Sequence, residues 1–353
     1  MKQAKTGQPE AGVAPTVSVI CIFLNEERFI REAVTSVFHQ DFDDWELILV
    51  DDGSHDSSRI WARETAARHA RVSYLEHPGH VNRGMSASRN LGLAHCRGRL
   101  VAFIDADDVW RPHKLREQVA LMDALPVVGM VAGRVNYWQS WAGGADRLVP
   151  TGHRVDAVVS PPEVVLRIYP LGHAGAPSPS DALIRRNVIA SVGGFEEEFP
   201  GMFEDQVFFS KVFLTTTVFF SGRVWLDYRL HPDSCSAVAE RAGRYTHYRR
   251  RYLDWLDEHV QAVGPSNKNQ IGRAINRERW KLDHPTFARR LNKLGRAFDR
   301  LRTGLSRLAE IRPRNSLLPS NLFAAQSGTA EPQADANGAR LSEPWHTSTR
   351  QFE

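Results

Sequence analysis

The chain of 353 residues has little cysteine and no long apolar segment. Its three cysteines, Cys21, Cys96 and Cys235, lie far apart, which does not fit a disulfide framework and favours a reducing compartment. The sequence has no run of about 18 apolar residues, the length that a membrane-spanning helix needs. Its first 15 residues are polar and small, without the apolar stretch of a secretory signal. We therefore expect a cytoplasmic protein, with peripheral contact to the inner face of the cell membrane as a further expectation.

The chain also has only a small excess of positive over negative charge. The net charge is +4, and the apolar fraction of 42% and charged fraction of 24% are ordinary for a globular protein. So small an excess does not by itself indicate nucleic acid, and the basic region near the carboxyl terminus has no recognition motif. Nucleic acid is therefore not an expected partner.

Apolar runs and helical repeats alternate along the first part of the chain. Runs rich in β-branched residues predict strands buried on both faces, as in a parallel sheet, and the segments between them repeat their apolar residues at helical spacing. The predicted strands are 17–24, 45–50, 72–75 and 100–104, and the predicted helices are 29–38, 57–69 and 86–95. The pattern loosens over 133–180, and ordered elements return at 182–186, 205–214 and 217–230. This predicts an α/β fold with helices on both faces of the sheet.

Three carboxylates follow the strand at 100–104. Asp105, Asp107 and Asp108 would repel one another when partly desolvated, and a divalent cation would remove that repulsion. Oxygen ligands at the carboxyl end of a strand suit Mg²⁺ or Mn²⁺ that carries phosphate oxygens. The alternative is a solvated turn in which Asp108 caps the next helix.

Two further acidic pairs allow two interpretations each. One carboxylate of Asp51-Asp52-Gly53-Ser54 would accept the imide N–H of a uracil or thymine ring, or would cap a helix. Glu204 and Asp205 are either a catalytic pair or acids stabilised at the start of a helix.

The order of these segments resembles glycosyltransferase family 2. The motifs that carry the resemblance are Val17-Ser18-Val19-Ile20, Leu24-Asn25-Glu26, Val50-Asp51-Asp52-Gly53-Ser54, Ser88-Arg89-Asn90-Leu91-Gly92, Asp105-Ala106-Asp107-Asp108, Gly193-Gly194-Phe195 and Glu204-Asp205. The resemblance implies a GT-A fold, which is a Rossmann-like, mixed and mostly parallel sheet flanked by helices. It also implies a nucleoside diphosphate sugar donor, a UDP-sugar by default, and inversion at the anomeric carbon.

The same resemblance implies roles for individual residues. Asp52 matches an aspartate that contacts the base, and Asp205 matches the base that activates the acceptor. Further nucleotide contacts are assigned to Leu24, Glu26, Arg89, Asp105 and Ala106, metal contacts to Asp105, Asp107 and His231, and acceptor contacts to Glu204 and Trp110. The cofactor implied is Mn²⁺ or Mg²⁺.

Several of these roles have structural alternatives. Arg89 either reaches a phosphate, organises Asp105 or forms an ion pair, His231 is either a metal ligand or structural, and Trp110 either stacks on a sugar or lies in the core. The chain departs from the common family pattern at Ile22-Phe23-Leu24 and in the run after Asp205, which lacks a frequent acidic residue. These departures concern the base contacts and the acceptor.

The resulting hypothesis is a metal-dependent inverting transferase that acts on a sugar, lipid-linked sugar or other hydroxyl acceptor in the synthesis of cell-envelope polysaccharide or glycolipid. An inactive nucleotide-sugar-binding scaffold on the same fold is the alternative. A nucleotidyltransferase is disfavoured, because the loop at 24–27 is acidic where a triphosphate needs basic residues.

The predicted organisation has four parts. Residues 1–15 form a flexible start, 16–236 the catalytic domain (16–132 its nucleotide-binding half and 133–236 its acceptor-binding half), 237–312 a basic helical extension and 313–353 a disordered tail. Within the extension, apolar residues from Phe287 to Leu308 repeat at alternating spacings of four and three beside several arginines. This stripe predicts a helix that packs on the catalytic domain or a sister subunit, or one that lies on anionic lipid.

Overall fold

A mixed sheet of ten strands lies at the centre of the part of the chain that this computed structural model describes, residues 14–288. The strands are Val17–Phe23 (β1), Trp45–Asp51 (β2), Val72–Glu76 (β3), Leu100–Asp105 (β4), Val109–Trp110 (β5), Val128–Trp138 (β6), Arg147–Val149 (β7), Ala157–Val159 (β8), Leu183–Arg185 (β9) and Thr217–Arg229 (β10). Their order is β3-β2-β1-β4-β9-β6-β10-β5, with β7 beside β6 and β8 beside β10.

The first four strands are parallel, as their continuous apolar sequences predict. β1 and β2 are buried at every position, and β1 lies between β2 and β4. β6 and β10 are parallel to each other, whereas β9 runs antiparallel to both β4 and β6. The predicted mixed, mostly parallel sheet with flanking helices is therefore confirmed.

The helices connect these strands. They are Ile30–Phe38 (α1), Ser57–Arg68 (α2), Met85–His95 (α3), Lys114–Ala124 (α4), Glu163–Arg167 (α5), Arg186–Val192 (α6), Glu204–Thr215 (α7), Cys235–Arg241 (α8), Tyr245–Val263 (α9) and Lys268–Asp283 (α10). α3 lies very close to the sheet, since a Cβ added at Gly92 would come 2.6 Å from Cγ2 of Ile20. Glycine at this position therefore sets how near the residues of α3 come to the strand ends.

The segment 133–180 has more regular structure than its sequence indicates. β6 continues to Trp138, a short 3₁₀ turn covers Ser140–Ala142, and the short elements β7, β8 and α5 follow. The ordered region predicted at 217–230 is the single strand β10, whose pairing with β6 is interrupted by register shifts.

Helices α9 and α10 share the main hydrophobic core. Tyr252 and Leu256 of α9 and Ile271 and Ile275 of α10 are fully buried in the cluster that also holds Phe203. Compact packing extends to Leu282, so the boundary predicted at 236 falls inside one compact unit. Residues 1–13 and 289–353 lie outside the described residues. They include most of the predicted flexible start at 1–15, the end of the predicted extension at 237–312 with nearly all of its apolar stripe, and the whole predicted tail at 313–353.

Among residues 14–288, the structure contains no helix that combines the length and the apolar character needed to cross a membrane.

Candidate functional site

The candidate site lies at the carboxyl ends of β1, β2 and β4. Phe23 pairs with Asp51, and Ile22 pairs with Asp105, so the three strands end nearly level. The loops that follow them carry most of the acidic residues singled out in the sequence. A ligand at this edge of an open parallel sheet would contact all three loops.

The three carboxylates at the end of β4 and directly after it have three different partners. Asp105 accepts a hydrogen bond of 2.8 Å from Nη2 of Arg89, and Oδ2 of Asp107 lies 2.9 Å from Nε2 of His231. Asp108 is only 1% exposed and accepts a hydrogen bond from the backbone N–H of Arg229. Burial, followed by the charges of Asp107 and Asp105, raises the pKa of Asp108 well above its usual value. The protein therefore compensates much of the repulsion itself, and Asp107 is the carboxylate best placed to receive a ligand.

Arg89 joins two elements that are distant in the sequence. Its Nη2 binds Asp105 on β4, and its Nη1 donates a hydrogen bond of 2.9 Å to Oε1 of Glu204 at the start of α7. The side chain is 1% exposed and lies over the ring of Phe195. Of the roles considered for Arg89, the structure shows the organisation of Asp105 and adds a second carboxylate partner.

Glu204 and Asp205 begin α7 in different environments. Glu204 is buried, and burial raises its pKa to about 8, with a further contribution from Asp205 and an opposing one from Arg89. Asp205 is half-buried, and burial is the main cause that raises its pKa. One guanidinium thus serves two carboxylates, and Glu204 holds a proton near neutral pH. Of the two acids, Asp205 is the one open to a second molecule.

Asp107 and His231 form the best candidate pair for a cation. Nδ1 of His231 is buried and has no hydrogen-bond partner within the described residues, and the ring packs against Phe29. A carboxylate oxygen and an imidazole nitrogen suit Mn²⁺, which leaves the other positions to ligands from outside the protein. These side chains therefore fit a metal, although they do not by themselves complete its coordination.

A second acidic group lies beside the site. Within residues 14–288, the side chains of Asp51, Glu76 and His80 are the group whose three potential ligand atoms lie within 4.8 Å of one another, whereas Asp105, Asp107 and His231 do not form such a group. Arg59 lies 3.1 Å from Glu76, and the hydroxyl of Tyr74 donates to both carboxylates. These neighbours already compensate the two acids, so this group does not require a cation.

The loop after β2 shows how Asp52 is held. Its two oxygens accept hydrogen bonds from the backbone N–H groups of Arg83 and Gly84, at 2.7 and 3.0 Å. Asp52 caps neither neighbouring helix, because α3 has no side-chain cap and the cap of α2 is Asp56. It instead fixes the loop that leads into α3. A carboxylate has further lone pairs, so these bonds leave room for a base.

The remaining residues assigned to the nucleotide lie along the same edge. Leu24 is exposed, Glu26 is half-buried, and Ala106 is buried. Burial and the nearby charge of Asp107 raise the pKa of Glu26 to about 7. The protonation of Glu26 therefore depends on the charge of Asp107 at the candidate cation position.

Trp110 does not have the role expected from the sequence. Its ring is 2% exposed, Lys114 lies over it, and its indole N–H donates to the backbone carbonyl of Ser180. In this structure its face is not open to an acceptor sugar, because Trp110 belongs to β5 and pairs with Leu226 in the sheet.

Arg229 is a site residue that sequence reasoning missed. It lies over the rings of Phe29, Trp138 and Trp141, and its Nε donates to the backbone carbonyl of Asp107. It therefore fixes the loop that carries the carboxylates. No local motif marks Arg229, because all of these partners are distant from it in the sequence, Asp107 and Phe29 by more than 100 residues.

Comparisons with known proteins agree with this geometry. The family model described as "Glycosyl transferase family 2" matches residues 18–190. An uncharacterized glycosyltransferase of Nostoc sp. strain PCC 7120 is 37% identical over 115 residues, 33% of this chain and 35% of that protein. The UDP-Glc:alpha-D-GlcNAc-diphosphoundecaprenol beta-1,3-glucosyltransferase WfgD of Escherichia coli is 33% identical over 106 residues, 30% of this chain and 40% of that protein. The match thus spans well under half of each relative.

Solved structures share the fold. S. aureus TarS in complex with UDP-GlcNAc has a TM-score of 0.58 and 20% identity, over 72% of this chain and 70% of that one. The mannosyltransferase PcManGT from Pyrobaculum calidifontis, in complex with GDP-Man and Mn²⁺, has a TM-score of 0.51 and 22% identity, over 88% of this chain and 85% of that one.

Proposed function

Because residues 18–190 of this chain are a glycosyltransferase family 2 domain, we propose that the protein is an inverting, metal-dependent glycosyltransferase that uses a nucleoside diphosphate sugar, with a UDP-sugar favoured. The observation that supports this best is the pair of hydrogen bonds made by Arg89. They hold Asp105, on the donor side, and Glu204, beside the proposed base, at fixed positions relative to each other. Transfer between two substrates needs both sides to be held in this way.

Asp205 is the proposed general base. It is half-buried at the start of α7, and its raised pKa brings it closer to the pH at which it has to take a proton. Removing the proton from the acceptor hydroxyl makes that oxygen a nucleophile. Attack opposite the diphosphate then inverts the anomeric carbon in one displacement.

Asp107 and His231, with Asp105 beside them, would hold Mn²⁺ or Mg²⁺. Such a cation, when bound, neutralises negative charge that develops on the departing diphosphate. The protein's own contribution is to hold these side chains in place. Arg229 fixes the loop that carries Asp107, and the imidazole ring of His231 packs against the ring of Phe29. PcManGT, which has the same fold, was solved with Mn²⁺ and GDP-Man, which supports but does not identify the metal here.

We further propose that the reaction belongs to cell-envelope polysaccharide or glycolipid synthesis on the cytoplasmic side of the membrane. WfgD, whose name gives a diphosphoundecaprenol-linked acceptor, is one relative that supports a lipid-linked sugar as acceptor. Contact with the membrane surface would then bring the enzyme to its acceptor.

The direct test is calorimetric binding of UDP, GDP and dTDP, each with and without Mn²⁺. The proteins are the wild type, Asp107→Ala and the control Asp123→Ala, which removes an exposed carboxylate paired with Arg99 on the surface. We expect one nucleotide to bind only with Mn²⁺, and this binding to be lost in Asp107→Ala alone. Absence of binding in folded wild type would contradict the proposal. Binding without transfer to any offered acceptor would favour the inactive scaffold.

A further inference from the structure

A second concave site lies between α5 and α10. Its volume is about 690 Å³, within the range of small-molecule sites. Its lining comprises Pro162, Glu163, Leu166, Arg167, Asn267, Gln270, Arg273, Ala274 and Arg277. None of these residues belongs to the candidate site described above, so the groove needs a separate explanation.

Positive charge exceeds negative charge in this groove. Its lining has three arginines and one carboxylate, Glu163, whose Oε1 already lies 2.9 Å from Nε2 of His153 and 3.6 Å from Arg154. Arg167 and Arg273 are exposed, and within residues 14–288 neither forms an ion pair with a carboxylate within 4.0 Å, although the charge of Arg167 helps to lower the pKa of Glu163.

The residues that contact Arg277 add to this excess of positive charge. The buried carboxylate of Glu278 is shared by Arg249, Arg277 and Lys281, at 2.8 to 3.0 Å. One negative charge thus faces three positive ones. The backbone carbonyl of Leu171 accepts a further hydrogen bond from Arg277, which fixes this guanidinium at the edge of the groove.

The helix itself places like charges together. Arg273 and Arg277 are four residues apart on α10, so they lie on the same face and repel each other. Gln270, one turn before Arg273, and Asn267, immediately before α10, also line the groove and carry amide side chains. An anion bound between Arg273 and Arg277 would attract both guanidinium groups and offset their mutual repulsion.

We propose that this groove is a binding site for a phosphate-type dianion, a diphosphate or phosphate group carried by a small molecule. Guanidinium groups bind such oxygens in pairs, and the amides of Gln270 and Asn267 add neutral donors. The concave shape favours a discrete ligand over a flat membrane surface. The proposal does not depend on the transferase activity.

The test uses inorganic pyrophosphate in EDTA, measured by calorimetry on the full-length chain. Without a divalent cation, the transferase site lacks the ion that would hold a diphosphate there, so binding reports the groove. The variants are Arg167→Glu and Arg273→Glu, whose side chains are exposed, and the control Arg223→Glu, an exposed arginine outside the lining. Vesicles of phosphatidylglycerol form the second arm.

We expect the wild type and Arg223→Glu to bind pyrophosphate alike, and each groove variant to bind about tenfold more weakly or worse, since each loses charge-assisted hydrogen bonds. Binding that is absent in the wild type, or equally affected in Arg223→Glu, would overturn the proposal. Binding of vesicles without pyrophosphate would overturn it in favour of a membrane surface. A folding check by circular dichroism accompanies each variant.

Discussion

Replacing Arg89 by methionine tests the central feature of the candidate site. The change keeps an unbranched apolar stem but removes a guanidinium that is 1% exposed and holds Asp105 and Glu204. Breaking a buried ion pair by removing one partner costs about 3–5 kcal/mol of unfolding free energy. We expect about 3 kcal/mol, the lower end, because Asp105 is partly exposed and Glu204, with its pKa raised to about 8, is already largely protonated near neutral pH.

The unfolding free energy lost in Arg89→Met should depend on pH. Burial raises the folded-state pKa of Glu204 to about 8, above the unfolded value of about 4.3, so its contribution to stability is greatest in acid and declines as the pH rises towards 8. Without Arg89, the folded pKa of Glu204 is higher still, and the decline continues beyond pH 8. The cost of Arg89→Met should therefore increase by about 1 kcal/mol between pH 6 and pH 9.

The assay is urea unfolding at both pH values, with Glu204→Gln as the matched background. Glutamine still accepts a hydrogen bond from Arg89 but does not ionise in this range, so the pH-dependent part of the loss should disappear in the double variant. An equal cost at pH 6 and pH 9 in the wild-type background would refute the reasoning. So would a cost below 1 kcal/mol, about what a surface pair contributes.

Three further changes probe the chemistry and the packing. Asp205→Asn should lower transfer by about 10²–10⁴-fold while donor affinity stays unchanged, and wild-type activity should fall as the pH decreases through the raised pKa of Asp205; a variant with wild-type rates would exclude it as the base. His231→Ala should weaken Mn²⁺-dependent nucleotide binding by about tenfold in calorimetry but leave the metal-free protein folded, and unchanged affinity would make this histidine structural. Gly92→Ala should cost about 1–3 kcal/mol in urea unfolding, because its Cβ would meet Ile20 at 2.6 Å, whereas Gly272→Ala on α10, with nothing within 4 Å, should gain up to about 1 kcal/mol. Similar values for the two glycines would contradict the close approach of α3 to the sheet.

The strands that carry the site could be predicted from the sequence because their signals are local. A strand buried on both faces has a continuous apolar sequence, and acids directly after it stand out against that background. The predicted strand that ends before Asp105 and the predicted helix that contains Arg89 match β4 and α3 within one residue.

The features that could not be predicted depend on contacts between distant segments. Arg229 binds the loop of Asp107 across more than 100 residues, and no spacing rule reports such a contact. Trp110 follows the acidic motif, where a stacking face is plausible, but it pairs with β10, whose position no nearby residue indicates. The sequence of 133–180 has the glycine and proline content of a loop, yet its first residues continue β6 because β7 and β10 pair with them.

The distribution of charge at the end of β4 changes the argument for a cation. From the sequence alone, three closely spaced acids favour a metal, but burial raises the pKa of one of them, Asp108, and another, Asp105, is paired with Arg89. The charge left for a cation is mainly that of Asp107, which His231 already contacts. A site with so little free negative charge would hold a divalent ion weakly by itself, and more firmly if a diphosphate contributed oxygens of its own. Metal and donor should therefore bind together, which is why the proposed measurement compares each nucleotide with and without Mn²⁺.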